Sequence, residues 1–121
     1  MTNELYSLAD HRQIPRAEQI ARLNDTLRQT GTGGMIVVTR NVQALPNFNA
    51  PRLLQELASY DSFDADNDPH GERDLGDFEL GGTDLLWKID YYDLDMVYGS
   101  PDPADPSVTR RVLSVMLPDD Y

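Results

Sequence analysis

The stretch TDLLWKIDYY, Thr83–Tyr92, decides the fold. Leu85, Trp87, Ile89 and Tyr91 alternate with Leu86, Lys88, Asp90 and Tyr92. That is the period of a strand with one face on a core. Gly81-Gly82 stands just before it and is a two-residue hairpin signal, so residues 78 to 80 are predicted to fold back as a short strand. Downstream, Pro101, Pro103 and Pro106 keep residues 93 to 105 in a loop. The run RRVLSVML at 110 to 117 is open between two readings. Val108, Val112, Val115 and Met116 suit a helix, whereas the β-branched content and the stop at Pro118 suit a strand. The strand reading is preferred.

Upstream, Ala17, Ile20, Leu23 and Leu27 recur at helical spacing, with Pro15 suited to a first turn and Glu18–Arg22 an i,i+4 pair. Gly31, Gly33 and Gly34 stop that helix, and MIVVT at 35 to 39 reads as a short buried strand. A phosphate-binding loop runs the other way, from strand to helix, and carries a Lys that is missing here. Pro46, Asn47 and Asn49 mark a loop, after which Leu53, Leu54 and Leu57 form the face of a second helix opened by Pro51. Residues 61 to 77 are polar and acidic, a long loop of the kind that often carries function. Helices followed by a run of strands predict an α+β fold. The expected architecture is two helices packed on a small antiparallel sheet of about four strands. Residues 1–14 are expected to be a flexible N-terminal arm and 15–121 a single α+β domain, which a chain of 121 residues can support.

The formal net charge is -11, and its distribution is uneven. Residues 1 to 60 hold six Arg and five acids, whereas residues 61 to 121 hold three Arg, one Lys and sixteen acids. Such a surface disfavours direct nucleic-acid binding and docking on an anionic membrane. The chain has no cysteine, so disulfides, thiolate metal sites and thiol nucleophiles are excluded. No segment of the sequence approaches the length of an apolar membrane span, and the N-terminus lacks the basic and apolar regions of a secretory leader. A cytoplasmic location is the expectation.

Two stretches concentrate chemistry. The first is DADNDPHGERD at 64 to 74, where Asp64, Asp66 and Asp68 alternate like calcium-loop ligands and His70 follows. Pro69 and Leu75 stand where an EF-hand needs Gly and Glu, so at most an irregular divalent site is expected. The competing reading is turn chemistry, with Asx side chains bonding local amides. Arg110 or Arg111 is expected to pin this loop through its carboxylates. No serine has a nucleophile's setting, and the expectation leans away from an enzyme. The second stretch is WKIDYYDLD and its sequel, where Asp90, Tyr91, Tyr92, Asp93, Asp95 and Tyr98 combine aromatic area with charge. Carboxylates two apart on a strand are spaced about 6.7 Å, comparable with phosphates along a nucleic-acid strand. These six residues are candidates for binding a basic protein partner; solvated acids at a sheet edge are the plainer reading.

IARLND, TGTGG, NDPHGERDLG, WKIDYYD and the closing DPADPSVTRRVLSVML together resemble a family of short bacterial proteins known as a domain of unknown function. The resemblance spans roughly residues 17 to 121 and carries no assigned site residue. It implies carriage on plasmids and other mobile elements, beside antirestriction-type genes, and so an inhibitor of host defence. The expected function is that of a small acidic interaction protein that imitates nucleic acid and blocks a basic DNA- or RNA-binding partner. The alternatives are a divalent-metal module or small metal-dependent enzyme built on the 64–74 loop, and a homodimer formed at the sheet edge.

Overall fold

The computed structural model describes residues 14–121. The expected N-terminal arm therefore lies, up to residue 13, outside the described residues. Helix α1 (Arg16–Thr30) leads to strand β1 (Met35–Val38), the one-turn helix α2 (Arg40–Gln43) and helix α3 (Ala50–Ser59). Strands β2 (Leu75–Leu80), β3 (Thr83–Tyr92) and β4 (Arg110–Met116) follow, with 3-10 turns at Pro106–Val108 and Pro118–Asp120.

Local chemistry explains most boundaries. Pro15 immediately precedes α1, and Gly31 ends it at φ 76°, where its N–H donates to Leu27 O. Asn49 caps α3 by accepting from Arg52 N, with Pro51 in the first turn. Helix α2 was not legible from periodicity; Thr39 Oγ1 starts it by accepting from Val42 N. Gly81 and Gly82 both take positive φ, 59° and 84°, and close the β2–β3 hairpin with Leu80 opposite Thr83.

The four strands lie in the order β1-β4-β3-β2. The α+β class stands, but the sheet is mixed and not wholly antiparallel. β3 is antiparallel to both neighbours, whereas β1 runs parallel to β4, with Met35 opposite Val112 and Val38 opposite Val115. Parallel neighbours need a long crossover, here the whole chain between β1 and β4. Nor is β1 a buried strand. It is the sheet edge, and Met35 and Val37 are exposed at 54% and 38%. The region 110 to 117 is a strand, as preferred.

Register assigns the faces. Leu85, Trp87, Ile89, Leu113 and Val115 lie under the helices and join Leu27, Val42, Leu53 and Leu57 in one core. Burying each such side chain contributes about 1.5–3 kcal/mol. Trp87 anchors this core, with Tyr60 and Phe63 edge-on to it at 5.5 and 6.0 Å between ring centres. Arg28 is buried beside them. Its Nη1–H groups donate to Leu57 O and Ala58 O, carbonyls of the last turn of α3, at 2.9 and 3.1 Å. A cation thus closes a helix end that has no glycine cap.

Candidate functional site: an acidic sheet face and its pinned loop

The acidic loop is held by its own turn chemistry and by one arginine. Asp64 Oδ1 accepts from Asp66 N and Asn67 N at 2.8 and 3.0 Å. Asp68 Oδ1 accepts from Arg73 N at 3.0 Å. The first is an Asx turn, and both carboxylates are used locally. Among the described residues, no group of three or more His, Cys, Asp or Glu side chains could hold a metal ion. Asp64, Asp66, Asp68 and His70 therefore do not converge as a ligand set.

The pin is Arg73, not Arg110 or Arg111. Arg73 Nη1–H and Nη2–H donate to the two oxygens of Glu18, each at 3.0 Å, and its Nε–H donates to Asp25 at 3.0 Å. Glu18 and Asp25 lie on α1, two helical turns apart and on one face. The Arg73 hydrogen bond holds the Glu18 carboxyl below its ordinary value, and Arg22 at 3.1 Å assists. Sequence reasoning missed this trio. A lone cation in an acidic run, facing two acids seven apart on a helix, was the available signal.

Arg110 instead donates from Nε to Leu94 O at 2.9 Å. Arg111 is 2% exposed and donates to Asn24 Oδ1 at 2.7 Å and to Pro103 O. Asn24, fully buried on α1, donates from Nδ2 to Tyr91 Oη at 2.8 Å and to Glu72 O at 2.9 Å. The Tyr91 hydroxyl in turn donates to Glu72 Oε1 at 2.9 Å. Burial raises the Tyr91 phenol and lowers Arg111 from their ordinary values. The guanidinium also lies 5.1 Å from the centre of the Tyr91 ring. This network ties α1, the acidic loop, β3 and β4 together.

Tyr91 therefore lies on the helix side, apart from the other candidate partner-binding residues. Asp90 and Tyr92 lie on the opposite, outer face, and Asp93, Asp95 and Tyr98 lie in the loop beyond β3. Asp90 Oδ2 is 2.8 Å from Lys88 Nζ, which sits 5.6 Å from the centre of the Tyr121 ring. Asp93 Oδ1 accepts from Val97 N at 3.0 Å. The Tyr98 side chain is 74% exposed.

The outer face also gathers acids that no sequence motif marks. Asp77 and Glu79 of β2 share it with Asp84 of β3, and Glu79 and Asp84 are directly opposite. Like charges in that position destabilise a strand pair. The face is partly covered: Val112 and Met116 of β4 are buried on it, and the closing 3-10 turn Pro118–Asp120 packs against β3. No described helix is long and apolar enough to cross a membrane.

With this geometry in place, the chain can be compared with known proteins. It belongs to the family described as protein of unknown function (DUF3768), whose model matches residues 38–120. That span takes in β2, β3, β4, α3 and the acidic loop, and leaves out α1 and all of β1 but Val38. No curated protein and no solved structure matches the chain.

Proposed function

We propose that the chain is an acidic interaction protein that occupies the nucleic-acid-binding groove of a basic partner. The observation that carries this reading is the exposed Glu79–Asp84 pair on the outer sheet face, with Asp77 beside it. Mutual repulsion across a hairpin costs stability. A cationic partner would remove that cost, because it would meet both carboxylates at once. Asp84 and Asp90 share the outer face of β3 about 20 Å apart, with Lys88 between them paired to Asp90, and Asp93 and Asp95 follow in the loop beyond. Such a stripe suits a phosphate-binding groove in length and sign. The resemblance of NDPHGERDLG and WKIDYYD to a bacterial family carried on mobile elements favours a host-defence protein as the partner. A cytoplasmic site of action fits that role. A divalent site at Asp64, Asp66, Asp68 and His70 has less support, since Asp64 and Asp68 already serve backbone amides.

The test is displacement of labelled duplex DNA from a sequence-nonspecific basic DNA-binding protein, followed by fluorescence anisotropy. The chain should displace the DNA at low salt and lose potency steeply as salt rises. Neutralising Asp77→Asn, Glu79→Gln and Asp84→Asn together should weaken displacement by roughly tenfold or more. Equal potency for the triple variant would remove the reading. Calorimetry with calcium, magnesium and manganese tests the metal alternative, which no heat would dismiss.

A further inference from the structure

Among the described residues, half of the exposed large apolar or aromatic side chains fall in one turn. Leu94, Met96, Val97 and Tyr98 are four of eight, and Val97 and Tyr98 are 65% and 74% exposed. Exposed apolar residues are ordinary one at a time; a run of them on a surface this acidic marks a contact. The turn follows β3, and none of the four side chains joins the core. Asp95 is exposed between Leu94 and Met96.

The backbone of this turn is held at every step. Asp93 N–H donates to Tyr98 O at 2.8 Å and closes the base, and Tyr92 bridges Gly99 beneath it. Met96 N–H donates to Asp93 O at 3.1 Å, and Val97 N–H donates to the Asp93 carboxylate at 3.0 Å. Arg110 Nε–H donates to Leu94 O at 2.9 Å and ties the turn to β4. Met96 is kept at φ 60°, a conformation that residues other than Gly, Asn and Asp seldom adopt. Strain of this kind persists only where the surroundings impose it, and it gathers at sites of contact. The apolar side chains thus stand on a fixed frame, and little backbone freedom is lost when a partner covers them.

We propose that this turn enters the basic groove of a protein that binds single-stranded nucleic acid, which rests on the reading of the chain as an acidic occupant of such a groove. Two properties of the turn select that class of partner. Asp93 and Asp95 bring negative charge to it, as phosphates do along a strand, and the chain as a whole carries -11. The exposed Tyr98 ring, with Val97 and Met96 beside it, offers the flat apolar surface that an unpaired base offers. Grooves for single strands combine a cationic track with aromatic side chains on which bases stack. A duplex keeps its base faces stacked inside, so a groove shaped for a duplex meets mainly phosphates and base edges. The same charge opposes a second copy of this chain and an anionic membrane as occupants.

Displacement of labelled single-stranded DNA from a single-strand-binding protein of the OB fold, followed by fluorescence anisotropy, is the test. The parent chain should displace it. Val97→Ser combined with Tyr98→Ser should weaken displacement by roughly tenfold or more, the loss expected when a stacking contact is removed. That loss should be the same at low and high salt, because apolar contact is not screened. Neutralising Asp77, Glu79 and Asp84 should instead flatten the salt dependence, so the two contributions separate. Tyr98→Phe should retain the parent's potency. The double variant should keep the parent's circular dichroism, since both side chains face solvent; Tyr98→Ser alone gives a second, milder measure. A double variant as potent as the parent would overturn the role of the turn and leave the acidic reading standing. So would a parent that displaces duplex DNA from a duplex-binding protein but leaves the single strand bound. A parent that displaces neither would remove both.

Discussion

A methyl group on Gly76 would stand 2.6 Å from both Trp87 Nε1 and Tyr60 Cζ. Real side-chain carbons do not approach so closely, and neither ring has room to retreat within the core. The glycine is therefore a packing requirement of the tryptophan beside it. Gly76→Ala should lower stability by about 1–3 kcal/mol, through displacement of Trp87 and not through backbone strain. Urea unfolding would measure the loss, and a weaker near-ultraviolet circular dichroism signal would report the shifted indole. Unchanged stability would mean that the two rings move aside freely. The sequence marked Trp87 as a core anchor from its place in the alternation. It gave no sign of Gly76, because the close approach is made by β2 and Tyr60 together and not by neighbours in the chain.

At the scale of elements, the acidic loop and α1 behave as one unit through Arg73. Glu18 is held below its ordinary value of 4.5 in the folded chain and returns to it on unfolding. Its contribution to stability is complete above that value and is lost as pH falls through the lowered one. Arg73→Gln removes the cause of the lowering. The variant should be less stable than the parent at pH 7, by roughly 1 kcal/mol given the partial exposure of all three side chains. Near pH 3 the gap should narrow, since the parent then loses the same ion pair. A gap independent of pH would show that Arg73 acts by packing alone. The opposite sign holds for Asp74, whose carboxyl burial and Glu72 raise, so part of the acid loss is offset there. Helices α1 and α3, the hairpin and the loop were legible because each rests on local signals: Gly31, Asn49 with Pro51, Gly81-Gly82, and the Asx residues. The pin was not, because it joins two segments distant in sequence. Charge alone matches the loop carboxylates to Arg110 or to Arg111. Burial directs Arg111 to Asn24 and a backbone carbonyl instead.

At the scale of the molecule, the excess negative charge opposes compactness. Sixteen of the twenty-one acids fall in the second half of the chain, and Glu79 faces Asp84 across the hairpin. Sodium chloride should therefore raise the thermal midpoint by a few degrees between about 0.02 and 0.5 M, as the Debye length shrinks from roughly 20 Å to a few Å. Differential scanning calorimetry reads this directly. A midpoint that falls with salt would mean that the ion pairs of Arg73, Arg16 and Lys88 outweigh the repulsion. Periodicity revealed which side of β3 is apolar. It could not reveal which strands are neighbours. MIVV at 35 to 38 looks the same whether it is central or at an edge, and its parallel partner lies far along the chain.

That placement of β4 has a consequence for how the molecule is made. The last of the four strands to be synthesised sits in the middle of the sheet, between the first strand and the third. Before it emerges from the ribosome, the β2–β3 hairpin can form, but β1 has no neighbour to join. The apolar MIVV segment must stay unpaired until β4 has been made, an interval when a nascent chain is open to capture by others. The fold is thus closed from its centre and in a single late event.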